Sequence, residues 1–163
     1  MENSRSETVT LQSEIEALEL YIQMEAMRFK DKLKYSITVD KNVDSNFIEI
    51  PPLLIQPYVE NAIWHGLMHK EDGGNIEVAI SAHDDESLLY ITVKDNGVGR
   101  EKSALLRGKS ASKHTSYGTK VTAERIELIN KIYKTNTNVT TEDVKKEDGE
   151  VSGTLVTIKI PYD

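Results

Sequence analysis

The sequence predicts an α+β fold, a two-layer α/β sandwich in which helices cover one face of a mixed, mostly antiparallel sheet. The first observation is the order of the patterns: helix, two short strands, helix, two strands, a long loop, helix and two strands. The second is the length of 163 residues, which suits one compact domain with a hydrophobic core of its own.

The individual elements follow from the spacing of apolar residues and from the prolines and glycines between them. Helices are predicted at 11–32, 53–69 and 120–133, and strands at 33–40, 47–50, 76–80, 88–95, 139–145 and 154–160. Pro51 and Pro52 end the second strand. Pro57 falls in the first turns of the next helix, where a missing N–H costs least.

The first predicted helix leaves two points open. Its N-cap is either Thr10 or Ser13, the latter in a capping box with Glu16. Its apolar residues fit an ordinary amphipathic helix packed on its own domain, and they also approximate the heptad of a longer dimerising helix. The polar start of the chain predicts a disordered linker over residues 1–9, so the domain is placed at 10–163, with 10–32 as its first helix.

The composition excludes several classes of protein. The chain has no cysteine, so disulfides, zinc-thiolate sites and thiol chemistry are excluded. Its formal net charge of −7 argues against nucleic-acid binding through a broadly basic surface. No apolar run approaches the roughly 18 residues of a membrane span, and the N-terminus does not have the pattern of a signal peptide.

Two polar residues are predicted at strand ends on the covered face of the sheet. Side chains alternate between faces along a strand, so Asp95 shares a face with Ile91 and Val93. Thr154 likewise shares a face with the apolar residues of the last strand. Each could instead turn to water at its strand end. Because a carboxylate on a covered face needs a hydrogen-bond donor, the two together favour a pocket.

The segment after Asp95 is rich in glycine. Gly97 and Gly99 follow the strand directly, and glycines let a backbone come close to a ligand. Residues 96–118 show no apolar periodicity, and a structureless loop of this length inside a compact domain is usually functional. The loop therefore marks the same end of the sheet as Asp95.

The second predicted helix carries a polar pair. Asn61 and His65 are four residues apart and share one face of the helix. The amide oxygen of asparagine suits Mg²⁺, which is a hard cation. An isolated asparagine on a helix is more often only a polar surface residue.

Together these features resemble the GHKL superfamily of ATP-binding domains, and more closely the LytS-type sensor histidine kinases. Residues 47–69, with Glu-Asn-Ala-Ile-Trp-His-Gly at 60–66, look like the asparagine-box region of that family. Residues 18–29, ending in Met-Arg-Phe, resemble the segment after its phosphoacceptor helix. The resemblance covers about residues 9–162 and implies a Bergerat-type ATP-binding fold.

Carried over position by position, the resemblance implies a site for ATP and Mg²⁺. Asp95 would accept a hydrogen bond from the adenine amino group, and Thr154 would assist at the same base. Asn61 would hold Mg²⁺ and His65 would lie near the phosphates, so these two are the candidate catalytic residues. The other implied site residues are Gly97 and Gly99, the second glycine box at Gly118, a mobile lid at 100–118, and the phosphate contacts Lys109, Lys113, His114 and Lys120.

The chain departs from the family pattern at three points. Trp64 stands where many members have lysine, and the second glycine box is reduced to Tyr-Gly-Thr-Lys at 117–120. None of the four histidines, at 65, 69, 83 and 114, lies in the helical context of a phosphoacceptor. The acceptor histidine is therefore expected outside this chain.

The resemblance implies the ATP-binding catalytic domain of a two-component sensor histidine kinase, which transfers the γ-phosphoryl group of ATP to a histidine. A GHKL-type ATPase and a non-catalytic nucleotide-binding or interaction module remain as alternatives. The implied partners are the phosphoacceptor and dimerisation domain of the parent kinase and a response regulator, with no nucleic acid and no direct membrane contact. The domain is expected in the cytoplasm, with its parent anchored in the plasma membrane.

Overall fold

The fold is a five-stranded sheet with helices packed on one face. A computed structural model describes residues 7–29, 32–67, 73–83, 87–97 and 124–162. The strand order in the sheet is β2-β4-β5-β7-β6, where β2 and β4 are parallel and all other neighbours are antiparallel. The predicted fold class, a two-layer sandwich with a mixed, mostly antiparallel sheet, is confirmed.

The strands lie close to where the alternation of apolar residues predicts them. Their bounds are β1 Val9–Thr10, β2 Leu33–Val39, β3 Glu49–Ile50, β4 Gly74–His83, β5 Leu88–Asp95, β6 Asn138–Lys145 and β7 Val151–Pro161. The two short strands β1 and β3 form a separate antiparallel pair. The disordered linker was predicted to extend to residue 9. Val9 instead belongs to strand β1, where it is the register partner of Ile50.

The sheet has one covered and one open face. The buried side chains of its three central strands alternate with more exposed ones, as expected for a sheet covered on one side. These buried residues are Ile76, Val78 and Ile80 on β4, Leu89, Ile91 and Val93 on β5, and Val156, Ile158 and Ile160 on β7. The side chains between them, such as Glu77, Tyr90 and Lys159, form the open face.

Helix α1 spans Leu11–Arg28 and packs on its own domain. Its buried face includes Leu11, Leu18 and Ile22, whereas Leu20, Met24 and Met27 are exposed. Thr10 is the N-cap, and its side chain accepts a hydrogen bond from the Ser13 backbone N–H at 3.1 Å. The prediction that the helix continues to residue 32 is wrong, because the chain turns after residue 28 so that Leu33 can enter the sheet as a buried residue.

Helix α2 spans Gln56–Asn61 and continues without a break as a π-helical turn over Ala62–Leu67. The predicted start at residue 53 is wrong, because Leu53 has a φ of 57°, which lies outside the right-handed helical region. Pro57 stands in the first turn, as predicted. The predicted end at residue 69 lies outside the described residues.

Helix α3 is described over residues 124–133 and leads into β6. Asn130 stabilises this connection, because its side chain accepts from the Thr137 N–H at 2.7 Å and donates to the Thr137 carbonyl at 3.1 Å. In the described part of the chain, no helix is long and apolar enough to cross a membrane.

Candidate functional site

The candidate site lies at the end of β5, where Asp95 is the last residue of the strand. Its side chain is 5% exposed and shares the covered face with the apolar residues of β5. Its register partners are Ile76 on β4 and Thr154 on β7. Directly opposed residues of an antiparallel pair have neighbouring side chains on the same face, so the sheet brings together the two polar residues that the sequence singles out.

The backbone beside this pair is unusually tight at Gly153. A Cβ atom at Gly153 would lie 1.9 Å from the carbonyl oxygen of Asp95. A real Cβ cannot approach that closely, so only glycine permits this contact between β7 and the end of β5. The position of Thr154 opposite Asp95 therefore depends on the residue before it.

The turn after β5 is held by hydrogen bonds on both sides. The Gly97 N–H donates to Asp95 Oδ1 at 2.9 Å. The Asn96 N–H donates to the Asn75 carbonyl at 3.2 Å, and Asn96 Oδ1 accepts from the Asn75 N–H at 2.7 Å. Asp95 is thus presented on a strand end that is fixed to β4 and closed by its own turn.

The helical segment that carries Asn61 lies over the same strands. Asn61 is the last residue of α2, and the π-helical turn that follows it contacts β4, β5 and β7. Ile63, in that turn, is fully buried. A π-helical turn within a helix is uncommon and often occurs at functional sites. The backbone of His65 lies in this turn, while its side chain lies outside the described part of the structure.

Glu60, next to Asn61, belongs to a polar junction between the three helices. Burial raises the pKa of the Glu60 carboxyl, Glu25 on α1 raises it further, and Arg125 on α3 lowers it. Burial also raises the pKa of Tyr58 to about 12, against the opposing effect of Arg125. Glu25 Oε2 and Arg125 Nε are buried with no hydrogen-bond partner in the described structure.

Trp64 is held by α1. The guanidinium of Arg28 lies 5.0 Å from the centroid of its ring. Burial raises the pKa of the nearby Tyr21 hydroxyl, and Trp64 opposes this shift. The tryptophan that replaces the lysine expected at this position therefore contacts a neighbouring helix.

Several predicted site residues lie outside the described residues. They are Gly99, Gly118 and Lys120, together with the predicted lid at 100–118 and the lysines and histidine within it.

The described residues offer a metal ion few ligands of their own. Within them, no group of three His, Cys, Asp or Glu side chains is placed to hold a metal ion. Magnesium in phosphate-transfer sites commonly binds through one or two protein oxygens, with water and substrate phosphates as the other ligands. A single amide oxygen from Asn61 fits that kind of site.

Solved structures with the same fold are catalytic domains of histidine kinases. The nucleotide-free catalytic domain of histidine kinase ThkA superposes with a TM-score of 0.61 at 12% identity, over 96% of each chain. ThkA in complex with the response regulator TrrA matches with a TM-score of 0.57 at 11% identity, over 96% of this chain and 42% of that one. The fold is that of a histidine kinase catalytic domain.

Sequence relatives identify the family. Sensor protein LytS of Staphylococcus haemolyticus is 35% identical over 123 residues, which cover 73% of this chain and 20% of that protein. The sensor histidine kinase/phosphatase LytS of Staphylococcus aureus is 30% identical over 129 residues, 78% of this chain and 21% of that protein. No protein-family model matches the chain. This chain belongs to the LytS family of sensor histidine kinases, and it spans about a fifth of the length of these relatives.

Sequence reasoning missed the residues that hold the site in place. The amide pairing of Asn96 with Asn75 and the contacts of Trp64 with α1 depend on residues that are distant in sequence. Glu14 is a further example, because its buried carboxylate accepts hydrogen bonds from the Leu53 and Ile55 N–H groups just before α2. The only signal in the sequence was the acidic type of Glu14 among the apolar residues Leu11, Ile15 and Leu18 of the same helix face.

Proposed function

We propose that this chain binds ATP with Mg²⁺ and transfers the γ-phosphoryl group to a histidine outside the residues printed above. The observation that carries the proposal is the buried carboxylate of Asp95, opposite Thr154 and at the edge of the covered face, in a fold shared with histidine kinase catalytic domains. A carboxylate has room for several hydrogen bonds, and the exocyclic amino group of adenine can donate one in addition to the Gly97 N–H.

In this proposal Asp95 accepts a hydrogen bond from the adenine amino group, and the Thr154 hydroxyl binds the same base directly or through water. The adenine ring enters beside the turn at Gly97, where the chain has no side chain to block it. Guanine carries an oxygen at the position of that amino group and would face the carboxylate with an acceptor. Asp95 therefore selects adenine.

Asn61 holds Mg²⁺ through its amide oxygen in the proposed complex, and His65 lies near the phosphates. Catalysis in phosphoryl transfer consists mainly of positioning and of neutralising the charge on the phosphates. The protein contributes the placement of Asn61 by α2 and the π-helical turn, which is anchored in the core through Ile63. Gly99, Gly118 and Lys120 are proposed to complete the contacts with the nucleotide.

The proposed partners are a phosphoacceptor and dimerisation domain, which carries the histidine, and a response regulator that receives the phosphoryl group. The match to ThkA, whose structure was solved with the response regulator TrrA, supports this kind of partner. The parent protein is proposed to be a membrane-anchored sensor with this domain in the cytoplasm.

Calorimetric titration with Mg-ATP, Mg-GTP and ATP in EDTA is the first test. We expect binding of Mg-ATP, weaker binding without magnesium, and little binding of Mg-GTP. The second step adds a phosphoacceptor domain of a LytS-type kinase in trans and follows radiolabel from γ-labelled ATP onto its histidine. Equal affinity for ATP and GTP, or the absence of labelling by a chain that binds Mg-ATP, would refute the proposal.

A GHKL-type ATPase is the main competing function. In the gyrase-like branch that this superfamily includes, a helical glutamate one turn before the magnesium asparagine activates water, but Pro57 stands four residues before Asn61. Glu60 is one residue from Asn61, about 100° around the helix, and the charged groups that shift its pKa lie on α1 and α3. We therefore expect very slow steady-state hydrolysis of ATP, and robust turnover abolished by Glu60→Ala would favour the ATPase.

A further inference from the structure

We propose that β2 is a docking edge for a second copy of this chain, and that two β2 strands pair antiparallel about a two-fold axis at Ser36. The two five-stranded sheets then join into one continuous sheet. This inference goes beyond the proposed function, because it concerns how two copies of the domain associate with each other. It requires neither a nucleotide nor a phosphoacceptor domain.

Strand β2 is one of the two edges of the sheet, and its sequence does not protect it. Among the described strands, only β4 lies beside it. Its one charged side chain is Lys34, and neither a proline nor a bulge interrupts its ladder with β4. Natural proteins usually block sheet edges with charges, prolines or bulges. The other edge, β6, has such features, because it carries Glu142 and Asp143 and a register shift at Lys145.

The main-chain groups of alternate β2 residues point away from β4. The Asp40 N–H donates to the Ile80 carbonyl at 2.9 Å, and the Lys32 carbonyl accepts from the Gly74 N–H at 3.1 Å. Successive residues of a strand direct their N–H and C=O groups to opposite sides. The even-numbered residues of β2 therefore bond to β4, and the odd-numbered residues present their N–H and C=O groups at the edge. These residues are Leu33, Tyr35, Ile37 and Val39.

A two-fold axis at Ser36 pairs all of these edge groups at once. Leu33 then lies opposite Val39 of the second copy. Tyr35 lies opposite Ile37, and residues in such hydrogen-bonded pairs exchange both N–H and C=O bonds. An axis at Tyr35 or at Ile37 would leave one end of β2 without a partner strand. The length of the strand therefore selects Ser36 as the centre.

The covered faces of the two copies match across this axis. A two-fold axis perpendicular to the sheet keeps both covered faces on the same side. The side chains of Tyr35, Ile37 and Val39 are only partly buried in the single chain. Aromatic and β-branched side chains stabilise each other across antiparallel strands, so pairing would bury apolar surface that one copy leaves exposed.

The open face brings no like charges together in this register. Lys34 lies opposite Thr38 of the second copy, and just beyond the strand Lys32 lies opposite Asp40; all four side chains are exposed. Opposite charges that face each other across antiparallel strands are stabilising, and like charges are destabilising. This charge complementarity at both ends of the ladder favours a second β2 as the occupant of the edge.

Single-cysteine variants test the register directly, because the chain has no cysteine of its own. In a non-hydrogen-bonded antiparallel pair the Cβ atoms lie about 4.5–5.5 Å apart, which a disulfide closes with a small shift. We expect Ser36→Cys to form a cross-linked dimer on mild oxidation. Thr38→Cys alone should not cross-link, but a mixture of Thr38→Cys with Lys34→Cys should. Thr140→Cys, at an exposed position on β6, is the matched control for random collision.

Sedimentation equilibrium measures the association without a cross-link. We expect a reversible dimer of the wild-type chain with a Kd below about 1 mM. Thr38→Glu should lower this Kd and Thr38→Lys should raise it, each by about two- to tenfold, because both face Lys34 of the second copy. The net charge of −7 predicts the opposite order for copies that meet without this register. The same two substitutions at Thr140 are the control.

Ile37→Pro tests the edge hydrogen bonds. It removes an N–H that points away from β4, a position where an edge strand tolerates proline, so we expect loss of the dimer with the fold retained by circular dichroism. If this variant does not fold, the substitutions at the exposed Thr38 still decide the question.

A wild-type chain that stays monomeric at about 1 mM would overturn the proposal and leave β2 to a strand from another protein. Equal cross-linking of Ser36→Cys and Thr140→Cys would also overturn it, as would a dimer that Thr38→Glu weakens more than Thr38→Lys does. None of these measurements uses ATP, so a failure of the proposed function would be recognised separately.

Discussion

At the scale of single residues, the site depends on close backbone contacts around one buried carboxylate. Asp95 would be costly to bury without donors, and the Gly97 N–H supplies one of them at 2.9 Å. Gly153 allows β7 to approach so closely that Thr154 lies opposite. The buried carboxylate of Asp95 and the closest approach of the β7 backbone therefore lie at the same end of β5.

Asp95→Asn is expected to weaken Mg-ATP binding by about 1.5–3 kcal/mol while the fold survives, because a charge-assisted acceptor is replaced by an amide. The asparagine Oδ1 can still accept from Gly97. Calorimetry measures the affinity and thermal unfolding checks the fold. Asp148→Asn is the matched control, since Asp148 Oδ1 accepts from the Glu150 N–H at 2.9 Å in an exposed turn. Unchanged affinity in a folded Asp95→Asn protein would remove the adenine assignment.

Gly153→Ala is expected to destabilise the protein by about 1–3 kcal/mol, the usual cost of forcing extra volume into a packed site. It should also weaken nucleotide binding, because the Asp95 carbonyl must move away from the new methyl group. Gly149→Ala provides the control, since Gly149 has a φ of 87° but no atom within 4 Å of the added carbon. Urea unfolding and calorimetry distinguish the two, and equal effects on binding would contradict the role of Gly153.

At the scale of elements, α2 begins where a neighbouring helix allows it to begin. The main-chain N–H groups at Leu53 and Ile55 donate to the Glu14 side chain, and Leu53 has a positive φ. The segment after Pro52 therefore forms a turn, and helical structure starts only at Gln56. The contact with Glu14, which is remote in sequence, therefore sets the start of α2, the helix that carries Asn61.

Glu14→Gln should lower the free energy of unfolding by about 1–3 kcal/mol, because one buried N–H then faces an amide NH₂ group and loses its acceptor. Denaturant unfolding measures the change. Glu16→Gln is the control on the same helix, since Glu16 is exposed and its carboxylate accepts from the Gln12 side chain at 3.1 Å. It should change stability by no more than about 0.5 kcal/mol. A similar small loss for both variants would mean that Glu14 does not hold the start of α2.

At the scale of the whole molecule, the three helices cover one face of the sheet. They contact one another through polar groups. Glu25, Glu60 and Arg125 come from three different helices, and the first two are both acidic in a chain with a formal net charge of −7. Like charges in a partly buried junction oppose folding at neutral pH. The stability of the domain should therefore depend on the ionisation of this junction.

Glu60→Gln is expected to stabilise the protein at neutral pH. The pKa of Glu60 is raised in the folded state by burial and by Glu25. The contribution of its protonated form to the free energy of unfolding is therefore complete below the unfolded pKa, and it is lost as pH rises through the folded pKa. The gain of the variant over wild type should therefore grow from pH 4 to pH 7 and stay within about 1 kcal/mol, because the carboxylate is partly exposed. Glu77→Gln on the open face is the control, and a gain that shrinks with rising pH would contradict the expectation.

The covered face of the sheet could be predicted from the sequence because strand periodicity is a local property. Alternation along β5 and β7 placed Asp95 and Thr154 on the buried side without knowledge of any partner. The family resemblance added the roles of these residues and of Asn61 at the nucleotide. The relatives confirm the family, while the roles of the individual residues stay predictions.

Only the tertiary structure decided the contacts between segments that are remote in sequence. The register that sets Thr154 opposite Asp95, the close approach at Gly153 and the attachment of Trp64 to α1 each join elements separated by tens of residues. The late start of α2 and its π-helical continuation arise in the same way. Local propensity is too weak to set such features, because packing and the satisfaction of buried polar groups outweigh it.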